Sequence, residues 1–478
     1  MSINMLAILP EILLLAVAML VLVLDPFWKD ENRRTNLGWL TAGGLIATMF
    51  VSLLLDRPAQ SSLAFGGMVR YDWLAFVFKM IFIFGAAITA MFMMDVEKVG
   101  KRAEAYLLLV AATIGMNLMA SSADLVMLYL AIETTSIPMY VLAGFLLDDK
   151  KSTEAGFKYL LFGAMTSAIF LYGLSLVYGF SGTTQFASMS GYFTSLNPVS
   201  LGVLFLVVVG IGFKISLVPF HFWAPDTYEG SPTPVAGFLS TASKAAGFAV
   251  LLRLFLTAFP QVAADWQMLL AILAVLTMTL GNLVALAQTN IKRLLAYSSI
   301  AHAGYALIGL VANNALGVTG LIYYLMAYVL TNLAAFGIIM AVGRVTGSDE
   351  IRAYDGMSRR SPYLGLAMLV AFLSLSGMPP FGGFMAKMLV FAGAIQAGWY
   401  WLVFVGVLNS IIGLYYYLTV LKYIYLYRMD GENEESHPIP VSRPFVIAIV
   451  VLTLGIVLIG SIFAPWFGFA TDAAMSLF

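Results

Sequence analysis

Residues 210–234 read GIGFKISLVPFHFWAPDTYEGSPTP, and this stretch places a lysine and a helix break inside an apolar segment. Pro219 has no backbone N–H, so it frees a carbonyl group about one turn earlier, near Lys214 and Ser216. An irregular backbone at membrane depth is tolerated only where protein covers it or where it lines a wet cavity. The stretch therefore predicts a polar site inside a membrane domain, close to Lys214.

The composition of the whole chain is that of an integral membrane protein. Hydrophobic residues make up 61% of the chain and charged residues 10%, whereas soluble domains carry about 25% charged residues. The formal net charge of zero gives no reason to expect a nucleic-acid partner. Because the chain has no cysteine and no glycine-rich phosphate loop, we expect no cofactor and no metal within it.

Apolar runs of about 20 residues predict an all-α membrane protein with about fourteen spans. The predicted spans are 4–24, 37–55, 73–94, 104–120, 123–146, 154–180, 200–219, 233–257, 266–286, 294–312, 316–343, 362–395, 402–426 and 444–466. No small-residue cleavage site follows the first span, so we expect it to be retained. The loops are too short for a soluble domain, so residues 1–478 are expected to form a single membrane domain.

Basic residues are concentrated in the loops on one side of the predicted membrane. Loops after even-numbered spans contain only Arg57 and Arg70. Loops after odd-numbered spans contain Lys29, Arg33, Arg34, Lys98, Lys101, Arg102, Lys150, Lys151, Lys292, Arg293, Arg344, Arg352, Arg359, Arg360, Arg428 and Arg443. By the positive-inside rule the second set faces the cytoplasm, so both termini are expected on the outer side.

Several charged side chains fall inside the predicted spans. Each costs roughly 2.5–3.5 kcal/mol on insertion scales, so it calls for a proton relay, an ion path or a ligand. Arginine would serve better as a purely structural charge because it stays ionised, whereas lysine suits a site that must release its proton. The candidates for proton translocation are Glu133, Lys214, Lys244 and Lys387, with Lys158 as a weaker one near its span end.

Other charged and aromatic residues have simpler explanations. Arg253 and Lys422 lie near span ends, where long side chains can reach the membrane interface. The tyrosine run 415–417 is most simply explained by packing and by the membrane interface. For Glu11 and Lys79 the sequence leaves both a structural and a functional role open.

A second helix break resembles the first. Residues 377–383 read GMPPFGG, so Pro379 and Pro380 interrupt a segment that continues to Lys387. At one constant offset, Gly156, Tyr159, Ser167 and Gly173 match Gly320, Tyr323, Thr331 and Gly337. We therefore expect two five-helix repeats, residues 104–257 and 266–426. Because each holds an odd number of spans, the repeats would be inverted, with two linked half-channels.

Six segments resemble the antiporter-like membrane subunits of respiratory complex I and their Mrp-antiporter relatives. They are 130–140 (LAIETTSIPMY), 154–159 (EAGFKY), 213–226 (FKISLVPFHFWAPD), 243–244 (SK), 290–302 (NIKRLLAYSSIAH) and 376–381 (SGMPPF). The resemblance covers nearly the whole chain. Its most specific parts are the runs through residues 221–226 and through residue 300.

The resemblance implies a proton path through a wet central axis. By this likeness Glu133 and Lys214 form the ion pair of the first half-channel, Lys244 is the central relay and Lys387 gates the second half-channel. Lys158 would lie near a small neighbouring membrane subunit. The further candidates for relay groups are Lys158, His221 and His302.

The resemblance also implies partners and a location. The partners would be membrane subunits of the M, K, J and L types of complex I and, through them, the peripheral NADH-oxidising arm. The chain would act as a translocase subunit without a redox centre, with NADH, FMN, iron–sulfur clusters and quinone in the partner subunits. Its place would be the inner (plasma) membrane of a bacterium.

Two other classes of protein remain open at this point. An Mrp-type cation/proton antiporter subunit, a subunit of a membrane-bound hydrogenase or a stand-alone transporter would use similar broken helices. A sodium site, however, favours several oxygen ligands, and Glu133 is nearly the only acid at mid-membrane depth. A quinone- or haem-binding electron carrier is the other class, and a haem would have only His221 and His302 as ligands.

Overall fold

The computed structural model describes residues 4–28, 35–194, 198–427 and 438–478, which are helical apart from one small hairpin, short 3₁₀ turns and the connecting loops. The loop cations Lys29, Arg33, Arg34 and Arg428, which entered the orientation argument, lie outside the described residues.

Three long helices form an N-terminal unit. They are α1 (Leu9–Leu24), α2 (Thr35–Leu55) and α3 (Trp73–Met93), with the short α4 (Glu97–Gly100) after them. Between α2 and α3, strands β1 (Ser62–Ala64) and β2 (Val69–Tyr71) pair antiparallel. Asp72 then starts α3, because its carboxylate accepts a 2.9 Å hydrogen bond from the backbone N–H of Ala75.

The next part of the chain contains the first helix break. Its helices are α5 (Ala103–Ser121), α6 (Leu125–Ala143), α7 (Lys150–Ser181), α8 (Phe186–Met189), α9 (Pro198–Ile215), α10 (Trp223–Gly230), α11 (Thr233–Phe238) and α12 (Lys244–Ala258). A π-helical turn, Leu239–Ser243, joins α11 to α12. Such turns are frequent at functional sites, and Lys244 is the first residue after this one.

The last part contains the second break. Its helices are α13 (Ala263–Ala285), α14 (Ile291–Val311), α15 (Ala315–Thr346), α16 (Met357–Arg360), α17 (Pro362–Ser376), α18 (Gly382–Gln396), α19 (Tyr400–Tyr425), α20 (Arg443–Ser461) and α21 (Phe463–Met475). The α17 helix is capped by Gly377, whose φ of +87° belongs to the left-handed region.

The described residues contain 13 helices that are long and apolar enough to cross a membrane. Two shorter apolar helices, α17 and α18, flank the second break. The all-helical membrane fold predicted from the sequence is confirmed. Helices α3, α12, α14 and α15 are the most completely buried, whereas α2 and α19 expose many apolar side chains, as expected for helices that face lipid.

Arg253 is buried inside the protein, whereas the sequence suggested a side chain that extends to the membrane interface. Its side chain is 1% exposed, and its two terminal nitrogens each donate a 2.8 Å hydrogen bond to Asp72. Its Nε donates to the carbonyl of Ala120 at 2.9 Å. The expectation was wrong because a long side chain near a span end can also point inward, where it ties α12 to the start of α3. Lys422 is exposed, as expected.

Candidate functional site

Three buried lysines lie at irregular points of three helices. Lys214 is the last but one residue of α9, directly before the first break. Lys244 follows the π-helical turn, and Lys387 lies on α18 just after the second break. All three are buried, so the fold places each ammonium group where regular helix geometry is interrupted.

Lys214 contacts a serine on a neighbouring helix. Its ammonium group donates a hydrogen bond to the hydroxyl of Ser136 on α6 and lies 5.7 Å from the ring centre of Tyr140. Glu133 is one turn earlier on α6 and accepts a hydrogen bond from Ser167 of α7. Lys214 and Glu133 interact electrostatically, with a hydroxyl group on each side ready to relay a proton.

The direct ion pair implied by the family resemblance is absent from this structure. Within the described residues, the nitrogen–oxygen distance that defines an ion pair is at most 4.0 Å, and the ammonium group of Lys214 does not lie that close to the carboxylate of Glu133. The physical reason is that each group already has a closer partner, Ser167 for the carboxylate and Ser136 for the ammonium.

Lys244 has a neutral environment. Its Nζ donates to the hydroxyl of Ser299 at 2.5 Å and to the carbonyl of the same residue at 3.0 Å. The ring centre of Tyr228 lies 5.9 Å away. Within the described part of the chain, no carboxylate lies within 4.0 Å of this ammonium group. A buried charge without a counter-ion is costly. Because no carboxylate stabilises the charged form of Lys244, its proton is not held by a strong electrostatic partner.

His302 continues the polar chain beyond Lys244. Its Nδ1 lies 2.6 Å from the hydroxyl of Tyr324, and its Nε2 lies 3.0 Å from the hydroxyl of Tyr417. Tyr417 in turn shares a hydrogen bond with Ser298, the residue before the serine that holds Lys244. Since imidazole can accept a proton on one nitrogen and donate from the other, His302 is suited to a relay.

Lys387 is joined to His302 by a small cavity. Its Nζ donates to the hydroxyl of Ser410 at 2.8 Å and to the carbonyl of Ser376 at 3.1 Å. A cavity of about 10 Å³, roughly enough for one water molecule, is lined by both Lys387 and His302. Thr331 and Ser374 contribute polar groups to its wall. One ordered water could therefore complete the connection.

His221 lies in the first break, close to Lys244. It is buried, and its ring centre is 4.5 Å from that of Phe222. Its Nδ1 has no hydrogen-bond partner among the described residues. An unpartnered buried nitrogen is available to a proton or a water molecule, and the charge of Lys244 acts on this ring.

A family model described as "NADH:quinone oxidoreductase/Mrp antiporter, TM" matches residues 122–413, more than half of the chain. This chain belongs to that family. The matched region contains Glu133 and the three buried lysines described above, whereas Tyr417 lies just beyond its end.

Individual relatives agree with this assignment. The NADH-quinone oxidoreductase subunit N of Moorella thermoacetica is 45% identical over 476 residues, which cover 98% of each chain. A chain of respiratory complex I from Thermus thermophilus with bound aureothin has a TM-score of 0.79 and 36% identity, with 95% of this chain and 97% of that chain covered. A chain of the Mrp complex from Dietzia has a TM-score of 0.83, 99% and 97% coverage and 19% identity, which shows the shared fold alone.

In this member of the antiporter-like family, Lys158 lies apart from the three buried lysines. Its side chain is 34% exposed and lies 2.6 Å from both Glu154 and Asp226. Asp226 also binds Arg293 at 2.7 Å. Burial raises the pKa of Asp226, but the hydrogen bonds from Lys158 and Arg293 outweigh it and hold this pKa below its ordinary value. This arrangement is typical of an ion-pair cluster at a membrane face.

Several functional candidates in this family member escaped the sequence analysis. They are the lysine and histidine partners Ser136, Ser299, Tyr324, Ser410 and Tyr417, and Ser298, which shares a hydrogen bond with Tyr417. Tyr417 was assigned to packing and the membrane interface with the rest of the run 415–417, yet Tyr415 is exposed whereas Tyr416 and Tyr417 are buried. The spacing of Ser298 and Ser299, one turn before His302, was the signal that could have revealed them.

Proposed function

We propose that this chain is a proton-translocating, antiporter-like membrane subunit of an NADH:quinone oxidoreductase, of the subunit N type. The observation that carries the proposal is the row of buried lysines held by hydroxyl and carbonyl groups instead of carboxylates. The likeness to subunit N supports assembly with membrane subunits of the M, K, J and L types and with a peripheral arm. NADH, FMN, iron–sulfur clusters and quinone belong to those partner subunits.

In the first half of the path, Glu133 and Lys214 act as a switchable pair. The carboxylate stabilises a proton on the lysine when the two approach, and separation favours proton release. The geometry described above, with Ser136 and Ser167 as separate partners, corresponds to the separated arrangement. A proton that leaves Lys214 would move toward His221 and Lys244.

In the second half, the proton passes from Lys244 to Lys387. Lys244 binds Ser299, the adjacent Ser298 binds Tyr417, and Tyr417 binds His302. The water-sized cavity lies between His302 and Lys387. Hydroxyl groups and imidazole can each accept and donate, so this order needs no cofactor. Lys387 then controls the release of the proton through the second half-channel.

The two halves also suggest a symmetry. We propose that residues 104–257 and 266–426 are inverted repeats within the one membrane domain of residues 1–478. The support is that each part contains one broken helix with a lysine beside the break, at Pro219 and at Pro379–Pro380. Such repeats place sites near the midplane of the bilayer.

The location follows from the loops. We propose the inner membrane of a bacterium, with both termini on the outer side. The cations Lys98, Lys151, Arg293 and Arg359 belong to the loops or helix starts that would then face the cytoplasm.

The test is proton translocation by sealed vesicles that contain the intact assembly. Lys214→Ala should abolish or strongly reduce NADH-driven acidification, and Glu133→Gln should impair it, while NADH oxidation by detached peripheral arm remains. Lys422→Ala, which changes an exposed lysine, is the matched control and should pump normally. Normal pumping by Lys214→Ala would exclude the proposed role.

The alternative is a subunit of an Mrp-type antiporter, a complex in which one chain has the same fold, or of a membrane-bound hydrogenase. Mild detergent extraction followed by sizing and identification of the co-purifying chains separates these cases. Co-migration with an NADH:quinone activity supports the main proposal. Recovery with antiporter subunits and no redox activity supports the alternative.

A further inference from the structure

The N-terminal unit contains a second group of buried ionisable side chains, outside the polar chain described above. Glu11 on α1, Asp56 just beyond the end of α2 and Lys79 on α3 are 7%, 1% and 2% exposed. The start of α1, the end of α2 and the start of α3 lie at one membrane face, and this is why residues far apart in sequence meet there.

Contacts within this group are short. Lys79 Nζ lies 2.8 Å from Glu11 Oε1 and donates a 2.8 Å hydrogen bond to the carbonyl of Ala7. Asp56 is hydrogen-bonded to the hydroxyl of Tyr71 on β2, and the charges of Lys79 and Glu11 both act on it. The ammonium group therefore lies beside one carboxylate and near a second.

The charges of the group do not balance. Lys79 and Glu11 neutralise each other, so an ionised Asp56 would leave one buried negative charge without compensation, which is costly. Three buried oxygens, Oδ1 of Asp56 and both carboxylate oxygens of Glu11, have no hydrogen-bond partner among the described residues, although Oε1 of Glu11 is in ion-pair contact with Lys79. A proton on one carboxylate would remove the excess charge and supply the missing donor.

We infer that Glu11, Asp56 and Lys79 form a proton-binding site in which two carboxylates and one lysine together hold one exchangeable proton. The proton resides on Asp56, because Glu11 has the direct contact with the ammonium group. Its release leaves a carboxylate that Tyr71 continues to stabilise by donating a hydrogen bond.

The titration of the neighbouring groups agrees with this assignment. The pKa of Asp56 is raised to about 7, and burial is the largest cause. The charge of Lys79 lowers this pKa, the charge of Glu11 raises it and the hydrogen bond with Tyr71 lowers it. Burial and the nearby Asp56 raise the pKa of Tyr71 to about 12, so its hydroxyl remains a donor at neutral pH. Arg57, the next residue along the chain, is exposed. The site would thus exchange its proton in the physiological range.

Lys79, one of the three residues of the site, lies on α3, and α3 packs against the turn that precedes the central relay residue Lys244. A Cβ atom at Gly85 of α3 would lie 3.3 Å from that of Ala242, in the π-helical turn before Lys244. Gly85 is six residues beyond Lys79, about 9 Å along the helix. Helix α3 therefore contacts the proposed proton path, but the proton-binding site contains none of the residues of that path.

Infrared spectra of the intact assembly, recorded during a pH titration, test the inference. The difference between the wild type and Asp56→Asn should contain a protonated carboxylic-acid band that disappears around pH 7. Asp265→Asn, which changes an exposed carboxylate at the start of α13, should retain this band. Glu11→Gln should move its midpoint to lower pH by about one unit or more, because a like charge is removed and Lys79 is left to Asp56.

Three results would overturn the inference. They are a titrating band that persists in Asp56→Asn, a midpoint that Glu11→Gln leaves unchanged, and a midpoint that shifts with sodium at constant ionic strength, which would indicate a metal-ion site. If the Asp56→Asn variant protein does not accumulate, the midpoint measured for Glu11→Gln decides by itself whether the inference holds. The measurement needs no proton pumping, so its result is independent of the proposed function.

Discussion

At the scale of single residues, each of the three lysines of the candidate site has a serine hydroxyl as its nearest side-chain partner. Ser136 holds Lys214, Ser299 holds Lys244 and Ser410 holds Lys387. A hydroxyl group accepts a hydrogen bond from an ammonium ion and can donate one to a neutral amine, whereas a carboxylate only accepts. Serine partners therefore suit a site that must exist in two protonation states.

The Lys244–Ser299 contact gives a residue-scale prediction. Ser299→Ala removes one of the two acceptors of the ammonium group, and a hydrogen bond to a charged group contributes roughly 1.5–3 kcal/mol. We expect NADH-driven proton translocation to fall about tenfold or more, with the assembly intact. Stopped-flow acidification of vesicles measures the effect. Ser175→Ala, at an exposed serine of α7, is the control, and equal rates for the two variants would contradict the prediction.

At the scale of elements, the second break requires close approach of two helices. A Cβ atom at Gly383 of α18 would lie 1.8 Å from the carbonyl oxygen of Ser374 on α17, a separation that real structures do not allow. The two half-helices can meet only because residue 383 has no side chain. Lys387, one turn later on α18, depends on this contact for its position.

Gly383→Ala should therefore displace α18 and Lys387. We expect proton translocation to be lost, or the subunit to be missing from the purified assembly, because a backbone atom cannot yield as a side chain can. Gly179→Ala on α7 is the matched control, since nothing lies within 4 Å of a Cβ atom there. Normal assembly together with normal pumping by Gly383→Ala would show that the break tolerates a side chain.

The ion-pair cluster joins α7, α10 and α14 at one membrane face, and its stability should depend on pH. Burial raises the pKa of Asp226, yet Lys158 and Arg293 hold it below its ordinary value. A carboxyl group with a lowered pKa stabilises the fold above its unfolded pKa, about 3.9, and this contribution disappears as pH falls through the folded pKa.

Asp226→Asn should consequently lower the thermal stability of the purified protein at pH 7. Each partly exposed pair contributes roughly 0.2–1 kcal/mol, so the shift is small. The difference from the wild type should shrink between about pH 5 and pH 3. Asp148→Asn, at a highly exposed carboxylate, serves as the control. A difference that grows on acidification would have the wrong sign for this account.

At the scale of the whole molecule, a buried ion pair attaches the N-terminal unit to the rest. Asp72 at the start of α3 accepts two hydrogen bonds from Arg253 near the end of α12, and both side chains are almost fully buried. Removing one partner of such a pair leaves an uncompensated charge and typically costs about 3–5 kcal/mol.

Asp72→Asn should therefore destabilise the whole protein strongly. Asparagine can still cap α3, so the change isolates the loss of charge. Thermal unfolding in detergent measures it, and we expect a large drop in the unfolding temperature. Asp124→Asn is the matched control, because Asp124 caps α6 and forms no ion pair among the described residues. Equal drops for the two variants would assign the effect to the loss of any carboxylate at a helix start and not to the pair with Arg253.

Much of the site could be predicted from local sequence. Lys214 and Lys387 were recognisable because each lies beside a proline-containing break in an apolar run, and Lys244 because it lies deep in one. Lys158 was placed less well, since hydropathy does not reveal that Asp226 and Arg293 draw it into a surface cluster.

By itself, the sequence determined that the chain is a helical membrane protein with buried lysines and two broken helices, because the bilayer selects spans by local hydropathy and proline acts within one turn. Only the tertiary structure decided which groups hold those lysines. Ser299 is far from Lys244 along the chain, and Arg253 is farther still from Asp72. A hydrogen bond acts over about 3 Å, so the packing of whole helices, which no local pattern contains, selects its partners.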